Sequence, residues 1–256
     1  MLKRISSHSQ YSLISRLVNI VKYNYKPKTK LEKFGVQVYS ALVENFKQTF
    51  FVGGMVRDLL LQKKITDIDI ATVAKPEQVV AALKKYYIET NIGFKKMGAI
   101  LAVEPPFAVA ITSFRKDLPS DTRYPEVSFT KNIKIDAGRR DFTINSLYLR
   151  PKSGTILDFY NGLSDIKNKQ VRFIGKPEKK IKEDPLRIVR ALRFALVLNF
   201  GLEKKAKATI KKYFNFVKEL TAAKLKKEID KVKNKQQKKI LEKVINNPKL
   251  LDKYFK

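Results

Sequence analysis

The chain is 256 residues long, 44% apolar, and carries 54 lysines and arginines against 24 acidic residues, a formal charge of +30. That length and apolar content allow one large or two small packed domains and exclude wholesale disorder. The absence of cysteine excludes disulfides, thiolate zinc sites and thiol catalysis, and a single histidine, His8, argues against Ser-His-Asp or His-rich metal sites.

Any metal must therefore be held by carboxylates, which favours Mg2+ or Mn2+ over zinc. No apolar run reaches the length of a transmembrane helix. The positive excess calls for an anionic partner, although a lysine-biased genome accounts for much of it equally well.

Residues 1–31 contain no acid and place Lys3, Arg4, Arg16, Lys22, Lys26, Lys28 and Lys30 among Ser and apolar residues. This segment reads as a transit peptide, a basic arm on RNA, or a plain amphipathic extension. LEKFGVQVYSALVENF from Leu31 has helical apolar spacing. QTFFVGG reads as a strand ending on a glycine pair, MVRDLLLQ as a helix start, and ITDIDIATVA as a half-buried strand. PEQVVAALKKYY is a helix with Pro in its first turn, and AILAVEPPFAVAITSF is two strands around a Pro-Pro turn. Residues 115–138 are polar and read mostly as loop. DFTINSLYLRP and TILDFY add strand-like or helical material. After Asn161 the pattern is helical, with EDPLRIVRALRFALVL amphipathic and a Lys-rich stretch over 203–246 spaced by Leu225, Ile229 and Val232. The predicted plan is a basic extension over 1–31, a mixed α/β domain over 32–165, and a helical domain over 166–256.

Chemistry concentrates in a few places. Asp67 and Asp69 on a strand would face one way, and two adjacent carboxylates repel unless a cation lies between them. Two Mg2+ ions clamping a phosphoryl displacement would answer that need, although a lone D-x-D is more often surface. Gly53-Gly54 ends a strand and opens a helix, a cradle for phosphate or an ordinary tight turn. Arg139, Arg140, Asp141 and Asn145 combine guanidinium forks for phosphate with groups that read ribose hydroxyls, or mark a capped helix start. Asp184 and Arg187, three apart at a helix start, offer acceptors and donors to a nucleobase edge, or form a cap and an intrahelical ion pair.

GGMVRD, TDIDIAT, RRDFTIN, DFYNG and EDPLRIVRALRF, in this order and spacing, resemble the class II tRNA nucleotidyltransferase and poly(A) polymerase family over about Gly35–Lys231. The resemblance implies an α/β (mixed α+β) fold: a polymerase-beta-like nucleotidyltransferase head with a small mixed sheet, then an all-α neck. It implies that Asp67 and Asp69 are catalytic and bind two Mg2+, with Mn2+ as a substitute. Gly53, Gly54 and Arg57 would lie at the triphosphate of CTP or ATP. Arg140, Asp141 and Asn145 would contact ribose and phosphates, Asp184 and Arg187 the incoming base, and Arg190 the phosphates. The stretch Arg115–Pro125 resembles the family's mobile loop. Lys95-Lys96-Met97-Gly98 resembles the tRNA enzymes rather than the poly(A) polymerases. The implied activity is addition of C and A to the 3′ end of tRNA, with poly(A) synthesis as the alternative.

Two departures stand out. The family's usual third carboxylate falls at Ala110, which would weaken a two-metal site and remove a candidate base. The family also continues past the neck into a body and tail, whereas this sequence stops at Lys256. The chain then reads as a truncated piece, as a minimal enzyme whose Lys-rich neck replaces the missing surface, or as one half of a split enzyme with a partner chain or second copy supplying it, and an RNA-binding subunit of low activity is a further reading. Localisation is expected to be cytoplasmic, or mitochondrial if residues 1–31 are a leader.

Overall fold

The computed structural model describes residues 3–4, 18–118 and 127–255. Most of the basic segment 1–17 and the Pro119–Pro125 part of the expected mobile loop lie outside the described residues. The chain divides into two compact units: the residues up to Arg140 with Asn145–Gly162, and Asp141–Ile144 with Leu163–Lys256.

The first unit is built on a mixed sheet. In chain order its elements are β1 (Lys3–Arg4), β2 (Asn19–Lys22), α1 (Lys30–Val43), β3 (Thr49–Val52), α2 (Gly54–Leu60), β4 (Ile68–Thr72) and α3 (Pro76–Lys84). There follow β5 (Glu89–Asn91), β6 (Ala99–Glu104), β7 (Phe107–Ser113), β8 (Arg115–Asp117), β9 (Val127–Phe129), α4 (Ile133–Arg139), β10 (Leu147–Arg150) and β11 (Thr155–Asp158). Among the described residues the large sheet runs β1-β2-β11-β10-β3-β4-β7-β6-β5. All its pairings are antiparallel except β4 with β7, whose crossover carries α3, β5 and β6.

Local chemistry explains the elements. Thr29 starts α1 through a capping box: its Oγ1 accepts from Glu32 N–H at 3.2 Å, and Glu32 Oε2 accepts from Thr29 N–H at 2.9 Å. Phe34, Val38, Tyr39, Ala41 and Leu42 bury one stripe of α1 against the sheet. All four residues of β3 are buried, as a central strand requires. Strand alternation sorts the faces. A Cβ on Gly35 of α1 would strike Ile68 Cδ1 at 2.6 Å, so the even-numbered residues of β4 face α1. Ala71 faces the other way, into a cluster with Phe50, Val52, Phe114, Ala137 and Tyr148. Asp69 shares that second face.

Three local expectations are corrected. The described residues of 115–138 are not mostly loop: Arg115, Lys116 and Asp117 pair antiparallel with Phe129, Ser128 and Val127, and Asn132 caps α4 by accepting from Lys134 N–H at 2.9 Å. Asn19–Lys22, placed in the extension from sequence, is a sheet strand, with Ile20 and Val21 aligned on Leu157 and Ile156. Asp67 precedes β4 by one residue instead of lying within it.

The second unit contains α5 (Gly162–Lys167), β12 (Gln170–Val171), α6 (Pro177–Glu183), α7 (Leu186–Leu198), β13 (Gly201–Leu202), α8 (Lys204–Tyr213), α9 (Ala222–Ile229), α10 (Lys235–Asn246) and α11 (Leu251–Tyr254). The helical pattern is interrupted by a short parallel pairing of β12 with β13 and by an antiparallel bridge between Phe142 and Phe173. Ile188, Val189, Ala191, Leu192, Ala195 and Leu198 make α7 the buried spine. Asp141–Ile144 joins this unit through Phe142, whose ring centroid lies 4.9 Å from Phe173 and 5.5 Å from Phe194.

Gly154 closes the turn from β10 to β11 at φ +65°, and a Cβ there would meet the Tyr23 carbonyl oxygen at 2.0 Å. Both the backbone conformation and the space forbid a side chain. Gly154→Ala is expected to lower the unfolding free energy by about 2 kcal/mol or more. An unchanged urea midpoint would contradict this placement.

Candidate active site

The site in the first unit grows from the β3–β4 pairing. Val52 lies opposite Asp69, and on the other side of β4 the parallel register sets Ala110 of β7 against Asp69. Directly paired residues share a sheet face. Gly53 then turns the chain from β3 into α2 with φ +75°. A Cβ on Gly53 would lie 3.2 Å from Asp69 Oδ2 and 3.7 Å from Arg140 Nη1, and one on Gly54 would lie 3.4 Å from Arg57 Nη2. The two glycines thus keep backbone open among one carboxylate and two guanidinium groups.

Asp69 is half-buried and Asp67 exposed. Burial pushes the Asp69 carboxyl above its ordinary pKa, the Arg140 charge opposes this, and the Asp67 carboxylate adds to it. Asp67 Oδ1 accepts from Thr66 Oγ1 at 2.7 Å. Among the described residues no group of three or more Asp, Glu, His or Cys side chains converges as a metal cage. Ala110 offers only a methyl group beside Asp69.

The basic residues are already engaged. Arg57 makes a two-point contact with Asp58, at 2.9 Å from both Nε and Nη2, and its Nη1 donates to Asn145 Oδ1 at 2.6 Å. Arg140 donates from Nε to Tyr148 Oη at 3.1 Å and pairs through Nη2 with Asp136 Oδ2 at 3.4 Å. Burial opposes the Arg140 charge, but Tyr148, Asp136 and Asp69 outweigh it, so the guanidinium stays protonated.

The RRDFTIN stretch does not act as one cluster. Arg140 and Asn145 belong to the first unit, whereas Asp141 belongs to the second, where it is ion-paired with Arg190. Its carbonyl also accepts from Ile174 N–H at 3.0 Å. Burial opposes the Arg190 charge, but Asp141, Glu228 and Asp184 raise its pKa overall.

Asp184 and Arg187 are not the helical neighbours their spacing predicts. Pro185 disfavours helical backbone at the preceding residue, and Asp184 is extended, with φ −155° and ψ 100°. Asp184 Oδ1 caps α7 by accepting from Leu186 N–H at 3.0 Å. Arg187 Nη1 instead reaches back one turn to Glu183 Oε2 at 2.7 Å and to the Lys180 carbonyl at 2.8 Å. Asp58, Asp136 and Tyr148 were missing from the sequence reading. Asp136 stands three and four residues before Arg139 and Arg140, a helical ion-pair spacing that points to it.

With this geometry in view, the comparisons are informative. Residues 49–172 match the poly(A) polymerase head domain. The CCA-adding enzyme of Lactobacillus helveticus is 39% identical over 187 residues, which are 72% of this chain and 46% of that protein. The crystal structure of the Bacillus stearothermophilus CCA-adding enzyme in complex with CTP superposes with TM-score 0.70 at 30% identity, covering 80% of this chain and 49% of that one. A tRNA nucleotidyltransferase complexed with a primer tRNA and an incoming ATP analog gives TM-score 0.67 at 28% identity, covering 84% and 61%.

A sheet that sets a carboxylate beside a glycine turn and two arginines is the nucleotidyltransferase architecture. Residues 49–172 form a poly(A) polymerase head domain, and the chain spans about half the length of the curated CCA-adding enzymes it matches. Among the described residues no helix is long and apolar enough to cross a membrane.

The raised pKa of Asp69 has a consequence for stability. With its folded-state pKa above the ordinary value, the ionised carboxyl destabilises the metal-free fold at neutral pH, and protonation relieves this as the pH falls. Asp69→Asn is therefore expected to resist urea better than the unsubstituted chain at pH 7 without divalent cation. That advantage should shrink as the pH drops through the raised pKa and vanish near the ordinary Asp range. A difference constant from pH 7 to pH 4 would refute it.

Proposed function

We propose that this chain carries the catalytic centre of a template-independent RNA nucleotidyltransferase that adds C and A, from CTP and ATP, to the 3′ end of tRNA. The observation that carries this reading is Asp69 placed beside the Gly53 turn and Arg140, with Asp67 two residues before it. The likeness to CCA-adding enzymes, and the CTP, primer tRNA and ATP analog in two of the similar structures, support the choice of substrates.

In the reaction the terminal 3′ oxygen bonds to the α-phosphorus, the bond to the β-phosphate bridge breaks, pyrophosphate leaves, and the hydroxyl proton passes to solvent. Asp67 and Asp69 would hold Mg2+, as two ions, or Mn2+. The donor set fits: it is oxygen only, and a carboxylate whose ionisation is held back by burial gains most from a neighbouring cation. When bound, such ions offset charge on the attacking and leaving oxygens. Gly53 and Gly54 offer backbone N–H groups to the triphosphate, with Arg57 and Arg140 beside them. Asn145 would reach ribose by exchanging its bond to Arg57. In the second unit, Asp184 and Arg187 would read the base, Asp141 the ribose and Arg190 the phosphates. Arg187 would first have to leave Glu183.

The direct test supplies tRNA ending before C, C or A with each labelled nucleotide separately. A fixed short addition is expected, and a long A tract would indicate poly(A) synthesis instead. Asp67→Ala and Asp69→Ala should each reduce incorporation about a hundredfold or more, the scale on which single electrostatic stabilisers act. Unchanged incorporation would remove the metal assignment.

Ala110 favours a second reading, an RNA-binding subunit of low activity completed by a partner chain or second copy. Its register against Asp69 makes the position testable. Ala110→Glu should raise the rate about tenfold or more if the centre is otherwise intact. Retained tRNA binding with no gain in rate would favour the subunit.

A further inference from the structure

The first unit holds a buried carboxylate that has no part in the chemistry above. Asp136 of α4 has no exposed side-chain surface. It nevertheless accepts from four donors: Arg139 Nε at 2.8 Å and Arg115 N–H at 3.2 Å on Oδ1, and Tyr148 Oη at 2.6 Å and Arg140 Nη2 at 3.4 Å on Oδ2. Burial alone would raise its pKa, but the charges of Arg139 and Arg140 and the Tyr148 hydrogen bond outweigh it and hold the group ionised. A buried charge so fully satisfied fixes the geometry of whatever it binds.

Much of what it binds is Arg140. Tyr148 Oη accepts from Arg140 Nε and donates to Asp136 Oδ2, so hydroxyl and carboxylate together grip one edge of the guanidinium. At the other edge, Nη1 and Asp69 Oδ2 both border the space that a Cβ on Gly53 would fill, at 3.7 and 3.2 Å from it. Arg140 feels Asp69 electrostatically, yet its ion pair is with Asp136. Released from Asp136, the guanidinium would be drawn to Asp69. That pairing would occupy both groups at once: the carboxylate assigned to metal and the arginine assigned to phosphate.

We propose that Asp136, bridged by Tyr148, is a positioning residue that holds Arg140 away from Asp69, leaving the carboxylate to a divalent cation and the guanidinium to a nucleotide phosphate. This rests on the nucleotidyltransferase reading. The Oδ1 contact with Arg115 N–H also ties the first residue of β8 to the same carboxylate, so the foot of the β8–β9 pair is set by the group that sets Arg140.

The test is equilibrium binding of CTP to the full chain, with and without Mg2+, titrated into the millimolar range. Asp136→Asn should weaken Mg2+-dependent binding about tenfold to a hundredfold, as loss of a supporting carboxylate does at metal sites. In an Arg140→Ala background the same substitution should cost less than about twofold, because the residue it acts through is gone. A merely structural role would cost as much in both backgrounds, and that result overturns the proposal. So does a folded Asp136→Asn variant that binds like the unsubstituted chain. If Asp136→Asn does not fold, Tyr148→Phe decides. It keeps the carboxylate and removes only the bridge, and should weaken binding severalfold in the parent and not in the Arg140→Ala chain. An unsubstituted chain that binds no CTP overturns the functional reading and this proposal with it, whereas normal parental binding with additive variants overturns the positioning alone.

Discussion

If Asp69 acts as proposed, it must be both sheltered and charged, and the first unit is organised around that conflict. Its place on β4 is unfavourable for a carboxylate, since burial and the Asp67 charge both resist ionisation. Among the described residues it is Arg140 that opposes them. Full pairing with Arg140 would relieve the strain and end the usefulness of both groups. The structure stops short of that. It gives Arg140 a stronger tether at Asp136 and Tyr148, and leaves Gly53 with no side chain between carboxylate and guanidinium. The residual electrostatic cost at Asp69 is what a cation would remove on binding. Weak stability at the site and affinity for its ligand are thus two faces of one arrangement.

The backbone makes this possible with little material. Two antiparallel strands, β3 and β4, bring Val52 against Asp69, and the positive φ of Gly53 turns the chain before it covers the carboxylate. The parallel neighbour β7 then supplies the position beside Asp69. Here it is Ala110, so the sheet offers a place for a further carboxylate without filling it. The scaffold and the ligand set are therefore separable: register fixes where a third acid would stand, and residue identity decides whether one does.

The parts of this site legible in the sequence were those governed by local rules. The alternating pattern marked the strand that carries Asp69, although Asp67 falls one residue before it, the glycine pair marked the turn, and the Pro-Pro turn separated β6 from β7 as expected. Long-range partners were not legible. Nothing in RRDFTIN announces that Phe142 packs on Phe173 and Phe194 while Asn145 bonds Arg57. Non-local packing splits the motif between two units. The helix start at Asp184–Arg187 and its capping alternative were legible from Pro185 and the Asp, but the ion-pair partner of Arg187 is Glu183, one turn back and not Asp184. The pair of β8 and β9 was missed for a different reason: its strands are short and polar, so periodicity gives no signal, and only the pairing itself defines them.

The large positive charge is also divided by chemistry. Every arginine whose side chain is described is ion-paired except Arg150, and that one lies over the Phe50 ring at 5.0 Å. The partners include Asp136, Asp141, Asp165 and Glu228, all buried. Lysines such as Lys204, Lys212, Lys224, Lys227 and Lys239 on α8, α9 and α10 are exposed. A guanidinium has a planar fork that a carboxylate holds in one orientation, whereas an ammonium is a hydrated point charge on a flexible stem. The buried acids therefore go where direction matters, at Arg140 and along Arg190 and Arg193 of α7, whereas the exposed Glu77, Glu178, Asp230 and Asp252 pair with lysines. Under the proposed function the exposed lysines would attract RNA without fixing its register, an attraction that salt would weaken far more than it would the buried pairs. Net charge would then serve encounter with the RNA, and the paired arginines what is done there.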